Sequence, residues 1–299
     1  MKIAVVFTGG TIASKAEGGV LSPSASQNYE LLRGLPKDVE TEVFTPYFSL
    51  SEQLDGELLT KLISCVGEIL AKDFDGIIVT HGTDTLQYSA AALALAFGRA
   101  DVPIVLVSSN YILSDPRSNG RANFRYAELF IRRKIGGVFV SYQNEGQPPK
   151  IFAPDSLLAH DAYSDELRSI YEPVGFFEGD NFYLNSLPRN RDSFGVYKLS
   201  KYSPVLVLRA RPGMSYPDPS FFSAFLFETY HSGTLPTADE AFAAFCKRAS
   251  GRVWISGFPD DVPYESTTKY SELNIKILPY IAPIYSYMKL WVLAEKGEI

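Results

Sequence analysis

The stretch Gly76-Ile77-Ile78-Val79-Thr80-His81-Gly82-Thr83-Asp84-Thr85 joins an apolar, β-branched run to a polar tip, and a helical pattern starts directly after it, from Leu86 to Gly98. Strand, turn and helix in that order predict one unit of a parallel sheet. The polar tip then falls at the strand's C-terminal end, where open α/β sheets bind ligands because helix N-termini present unpaired N–H groups there. The start of the chain repeats the layout, with Ile3-Ala4-Val5-Val6-Phe7 running into Thr8-Gly9-Gly10-Thr11. Two hydroxyl-rich tips on two core strands predict one site built between them.

Further strands of the same kind read at Pro103–Val107 and Gly137–Ser141, with helices from Leu54 to about Lys72 and from Arg121 to Lys134. All-apolar strands separated by helices mean a parallel sheet covered on both faces. A short strand is expected near Glu42–Thr45. Between Thr11 and Arg33 the chain is rich in Ser, Gly, Ala and Asn without a clear period, so a long loop is expected, either a lid or a plain surface loop. After Asn144 prolines interrupt the pattern, and two short β-like runs read at Phe176–Phe177 and Phe182–Leu184. Alternation resumes with strands at 205–208, 224–229 and 253–257 and helices at 238–249 and 281–293. The expected fold class is α/β in two domains: a larger N-terminal parallel-sheet domain (1–184), a linker (185–203) and a smaller C-terminal α/β domain (204–299).

The 299 residues are 46% hydrophobic and 21% charged, with a net charge of −6. That balance gives no electrostatic reason to expect nucleic acid or an anionic membrane as a partner. The apolar run Ile3–Phe7 is too short for a signal peptide's core, and no run approaches the roughly 18 residues a membrane helix needs. Cys65 and Cys246 share no metal-type spacing and read as small apolar side chains in a reducing compartment, so the expected location is cytoplasmic.

Thr8, Thr11, Thr80, Thr83 and Thr85 supply hydroxyls at the two tips, and Asp84 a carboxylate. A hydroxyl attacks an acyl carbon only when a base takes its proton, so a second polar group must lie close by. Amides of Gly10 and Gly82 are candidates for stabilising an oxyanion. Each residue also has a plain structural use: Ser, Thr and Asp at strand-to-helix junctions cap helices, worth about 1 kcal/mol apiece. Thr8–Thr11 lacks the Lys-Ser/Thr of a phosphate loop and the spacing of a dinucleotide fingerprint, which speaks against a nucleotide-binding protein. His81, His160 and His231 have no ligand-like spacing.

Thr8-Gly9-Gly10-Thr11-Ile12-Ala13 together with Thr80-His81-Gly82-Thr83-Asp84-Thr85 resembles the pair of signature motifs of the bacterial-type asparaginase and glutaminase-asparaginase family. Ser118-Asn119-Gly120-Arg121-Ala122-Asn123 is similar to the family's loop before its next helix. Pro212-Gly213-Met214, Tyr230 to Pro236 and Met288-Lys289-Leu290 are similar to the C-terminal domain of the cytoplasmic, type I branch. The resemblance implies that Thr11 attacks the side-chain amide and forms an acyl-enzyme, and that Thr83 is the second catalytic threonine. It further implies that Asp84 holds the substrate's α-amino group and that Tyr29, on a mobile lid, completes the network around Thr11. Ser51 matches the serine that binds the α-carboxylate, with Ser49 close enough to compete for the alignment. No metal or organic cofactor is implied, and a homodimer or homotetramer is.

One departure stands out. The family places a lysine after its fifth strand, near what is here Ser156-Leu157-Leu158-Ala159-His160; Leu158 stands at that position, and Lys150 lies several residues earlier. Thr234 stands where the type II branch carries an asparagine. The resemblance therefore implies an amidohydrolase converting L-asparagine to L-aspartate and ammonia. A slow or inactive homologue that binds an amino acid or amide, or an amidase with another substrate, is the alternative.

Overall fold

The computed structural model describes residues 1–17, 20–23, 30–258 and 263–299, with backbone alone for 15–17 and 20–23. The chain divides into two compact units, Met1–Lys198 and Leu199–Ile299.

The first unit is built on an eight-stranded sheet. Its strands are β1 (Lys2–Phe7), β4 (Glu40–Phe44), β5 (Gly76–Thr80), β6 (Pro103–Val107), β7 (Gly137–Tyr142), β8 (Lys150–Phe152), β9 (Gly175–Glu178) and β10 (Asn181–Leu184). They lie in the order β10-β9-β8-β7-β6-β5-β1-β4. The five strands from β4 to β7 are mutually parallel; β8, β9 and β10 extend the sheet in antiparallel fashion. Every residue of β5, β6 and β7 is buried, which is why these strands read as unbroken apolar runs and not as alternating ones.

The helices that cover the sheet include α1 (Gly56–Leu70), α2 (Leu86–Phe97) and α3 (Gly120–Ile131). Helix α1 begins where Asp55 accepts a hydrogen bond from the Leu58 amide (3.0 Å), satisfying one of the first-turn N–H groups. Every residue of α2 except Tyr88 is buried. A helix apolar all round has to be enclosed by protein, and its alanines let neighbours approach closely.

The topology fixes where a ligand can sit. The chain leaves β1 toward β4 on one side and leaves β5 toward β6 on the other, although β1 and β5 are neighbours with Phe7 opposite Thr80. Loops diverging from adjacent parallel strands open a crevice at their C-terminal ends. Both polar tips stand at that switch point.

Several short features were not expected from the sequence. The stretch expected as a long loop holds a 3₁₀ turn (Thr11–Ala13) and an antiparallel hairpin of β2 (Ser14–Glu17) and β3 (Val20–Pro23). Four residues per strand carry too little alternation to stand out. The same holds for β8, of three residues. Within the stretch expected as a linker, Phe194 and Gly195 donate to Leu95 and Ala96 carbonyls (2.8 and 3.1 Å). The Tyr197 hydroxyl donates to the Ala92 carbonyl at 2.7 Å, so this segment is fastened to α2.

The second unit has a four-stranded, all-parallel sheet in the order β11 (Val205–Arg209), β12 (Ala224–Glu228), β13 (Val253–Ile255), β14 (Ile275–Ile277). Strand β14, again of three residues, also escaped the sequence pattern. The helices of this unit are α4 (Glu240–Ala249), the short α5 (Glu265–Thr268) and α6 (Pro283–Glu295). Phe225, Phe227, Phe242 and Phe245 form its core, and α4 is capped by Asp239. Burial pushes the Cys65 thiol up to about 11 and the Cys246 thiol up to about 12, so neither forms a thiolate at neutral pH. Among the described residues no helix is long and apolar enough to cross a membrane.

Candidate active site

The two tips meet through glycine. Gly10 has a φ of +78°, and a Cβ added to it would lie 2.3 Å from the Gly82 Cα. One added to Gly82 would lie 2.4 Å from the Ser51 Cβ. Three segments therefore converge with no room for a side chain at either glycine. Thr11 and Thr83, each the next residue along, flank this contact. The Thr8 hydroxyl donates to the Thr80 carbonyl (2.7 Å) and ties the strand ends together.

Ser51 opens a 3₁₀ turn (Ser51–Gln53) and is nearly buried. Its hydroxyl donates to Asp84 Oδ2 at 3.1 Å, and its carbonyl accepts from the Thr85 hydroxyl at 2.9 Å. Ser49 acts through its backbone instead. Its carbonyl accepts from the Gly10 amide and its amide donates to the Thr8 carbonyl, both at 3.0 Å. The Gly10 N–H, expected to face a ligand, is thus committed to Ser49; glycine is required there for close approach and a positive φ. Asp84 is exposed, a carboxylate at the rim suited to an ammonium group.

Thr83 is buried, and its hydroxyl donates to the Ser109 carbonyl at 2.9 Å. That carbonyl is held in turn. The Ser109 and Ser118 hydroxyls are 2.8 Å apart, Asn110 and Asn119 each bond the other's backbone amide at 3.0 Å, and Asn119 Nδ2 donates to the Gln143 carbonyl at 2.9 Å. The loop Ser118-Asn119-Gly120 is therefore a clamp on the tip of β6. Because its proton is spent on Ser109, the Thr83 oxygen can meet a ligand only as an acceptor.

His81 is fully buried beneath the tip. Its Nδ1 lies 2.9 Å from the Gly82 carbonyl, and its Nε2 lies 2.7 Å from the Ser89 hydroxyl. A carbonyl only accepts, so Nδ1 carries the proton and Ser89 donates to Nε2. Burial drives its pKa down to about 4, so the ring is neutral and serves as a brace.

A pocket of about 390 Å³ opens beside Thr83 and Asp84, walled by Tyr88, Ala159, His160, Asp161 and Asp165 among others. No lysine lines it among the described residues. Lys150 Nζ donates to Gln147 Oε1 at 2.6 Å, and Lys150 is not among the residues of this pocket. Tyr29 lies outside the described residues.

The family model for the N-terminal asparaginase domain matches residues 2–164, more than half of the chain. The chain belongs to the asparaginase family. An L-asparaginase of Thermococcus kodakarensis is 28% identical over 220 residues, covering 72% of this chain and 65% of that enzyme. A component of the glutamyl-tRNA(Gln) amidotransferase of Pyrobaculum aerophilum is 39% identical over 131 residues, covering 42% of this chain and 31% of that protein. The chain thus matches less than two thirds of the length of these relatives. The solved structure of the T. kodakarensis asparaginase superposes with a TM-score of 0.81 at 22% identity, covering 99% of this chain and 93% of that one. L-asparaginase I of Vibrio cholerae gives 0.80 at 20% identity, covering 99% and 93%. The two-domain asparaginase-like α/β fold expected from the sequence is the fold observed.

Sequence reasoning named Thr11, Thr83, Asp84, Ser51, Gly10 and Gly82, and all of them gather in or beside one crevice. It gave no particular role to Thr85, whose hydroxyl fixes the Ser51 turn, and it passed over the Ser109 carbonyl. The polar run Ser108-Ser109-Asn110 after an apolar strand was the available signal for the second.

Proposed function

We propose that this asparaginase-family protein hydrolyses the side-chain amide of L-asparagine to L-aspartate and ammonia, with Thr11 as nucleophile. The observation that carries the reading is the Gly10–Gly82 contact, which sets Thr11 and Thr83 on either side of one seam with the Ser51–Asp84 pair at its rim. Asp84 and Ser51 anchor the amino-acid head group. The Thr11 hydroxyl adds to the amide carbon, ammonia leaves, and a water hydrolyses the resulting ester. Tyr29 completes the Thr11 network, and the assembly is a homodimer or homotetramer in the cytoplasm. No metal or organic cofactor is called for by this chemistry.

The absence of a lysine from the described walls of the pocket beside Thr83 favours a second reading: a slow or inactive amide-binding homologue, or an amidase with a different substrate. Ammonia release from L-asparagine, D-asparagine, L-glutamine and small amides separates the two, run with the wild type and Thr11→Ala. Release from L-asparagine that vanishes in Thr11→Ala supports the first. Release that survives that change sinks the nucleophile assignment. No release, with thermal stabilisation by aspartate, supports the binding homologue.

A further inference from the structure

We infer that Asn119 is a positioning residue for this site: it grips the N–H end of the peptide group whose carbonyl end takes the Thr83 proton. The inference rests on the hydrolase reading above and concerns how the second threonine is aimed.

The Thr83 hydroxyl donates to the Ser109 carbonyl at 2.9 Å. A hydroxyl turns about its C–O bond, so the carbonyl it meets decides where its lone pairs point. Thr83 lines the pocket it shares with Asp84, and those lone pairs are what it offers a reacting group. The aim of Thr83 is therefore only as firm as the orientation of the Ser109 carbonyl.

Sheet pairing does not supply that firmness. Strand β6 ends at Val107, which is also its last residue paired to β5 and β7. The peptide group joining Ser109 to Asn110 lies beyond that ladder. Because a peptide group is planar and rigid, fixing its N–H end fixes its C=O end. The Asn110 N–H donates to Asn119 Oδ1 at 3.0 Å, at the opposite end of the plane from Thr83. One peptide group is thus held at both ends. Accepting from its N–H also polarises the amide and strengthens its carbonyl as an acceptor.

Asn119 forgoes a more ordinary use to do this. It stands at the N-cap of α3, where an asparagine side chain commonly bonds a first-turn amide, yet its side chain makes no capping bond. Its Nδ2 donates instead to the Gln143 carbonyl at 2.9 Å, just past the end of β7. Its backbone amide donates to Asn110 Oδ1 at 3.0 Å. A carbonyl only accepts and an N–H only donates, so one orientation of the Asn119 amide serves both side-chain bonds.

The test is Asn119→Leu and Asn119→Asp with L-asparagine, read by ammonia release, with thermal unfolding in parallel. Both variants lose the Gln143 bond and are expected to melt earlier, but the aspartate keeps an acceptor for the Asn110 N–H. Asn119→Leu is expected to lose about ten- to hundredfold in kcat, the effect of one amide left unpaired. Asn119→Asp is expected to stay within about threefold of wild type. In a Thr83→Val background, which has no hydroxyl to aim, Asn119→Leu is expected to cost less than about threefold further. An Asp variant as slow as the Leu variant overturns the assignment, because the tie to Gln143 is then what matters. So does near-wild-type turnover in Asn119→Leu, or a loss undiminished in the Thr83→Val background. If the wild type releases ammonia and Thr11→Ala does not, either result leaves the hydrolase reading standing. A wild type inert toward every amide removes both.

Discussion

Acid is expected to loosen the first unit through His81. The ring is fully buried, its pKa falls from 6.5 to about 4, and burial is the cause. The folded value lies below the unfolded one, so between those limits the unfolded chain binds more protons. His81's contribution to stability is therefore full above about pH 6.5 and is lost as pH falls toward 4. At about 1.36 kcal/mol for each tenfold change in proton affinity, the loss between pH 7 and pH 4.5 comes to about 2.5 kcal/mol. His81→Asn removes the titration while keeping a donor for the Gly82 carbonyl. It is expected to be less stable by about 2–3 kcal/mol at pH 7, from lost volume and the lost Ser89 bond, but to converge on wild type by pH 4.5. The assay is urea unfolding read by hydrogen exchange in peptides spanning β5. Tryptophan emission does not serve, because Trp254 and Trp291 both belong to the second unit. Parallel stability curves for the two proteins from pH 7 to 4.5 would refute the reasoning.

Gly10→Ala places a methyl group 2.3 Å from the Gly82 Cα at a positive φ; a loss of about 2–5 kcal/mol in urea unfolding is expected, with ammonia release abolished. Ser51→Ala removes the donor to Asp84, and a rise of about tenfold in KM with a smaller change in kcat is expected in steady-state kinetics. Burial raises the Asp155 pKa, so folding favours its protonated form and its penalty grows as pH rises from 3.8 through the folded value. Asp155→Asn is accordingly expected to match or exceed wild-type stability at pH 7 and to fall below it at pH 3.5, measured by thermal unfolding.

The parallel core was legible because its strands are buried on both faces and need no partner to be recognised; β5, β6 and β7 stand where the apolar runs predict. The antiparallel extension was only half legible. Phe176–Phe177 and Phe182–Leu184 announced β9 and β10, but β8 is three residues long and lies among prolines. At the site, the residues of the two tips could be named from the sequence, and the glycine seam joining them could not. Close approach of Gly10 to Gly82 and of Gly82 to Ser51 is a long-range fact without a local pattern. The Gly10 amide shows the limit: glycine was rightly singled out, but its N–H serves Ser49, and its value lies in lacking a Cβ.

The two threonines that flank that seam are not equivalent. Thr83 is buried with its hydroxyl proton fixed on a carbonyl that is itself clamped by Ser118 and Asn119, so it offers oxygen lone pairs in a set direction. Such a group can accept and orient but has no proton to lose without breaking that bond. Thr11 opens a 3₁₀ turn directly after a glycine of positive φ, half-buried at the crevice, which suits a group that must move toward a substrate carbon. On the hydrolase reading, Thr83→Ser keeps the donor to Ser109 and the acceptor oxygen, whereas Thr83→Val keeps the shape and removes both. The ratio of their ester-hydrolysis rates therefore isolates the hydroxyl from the packing. A Val variant as fast as the Ser variant would mean that Thr83 only fills space beneath Asp84.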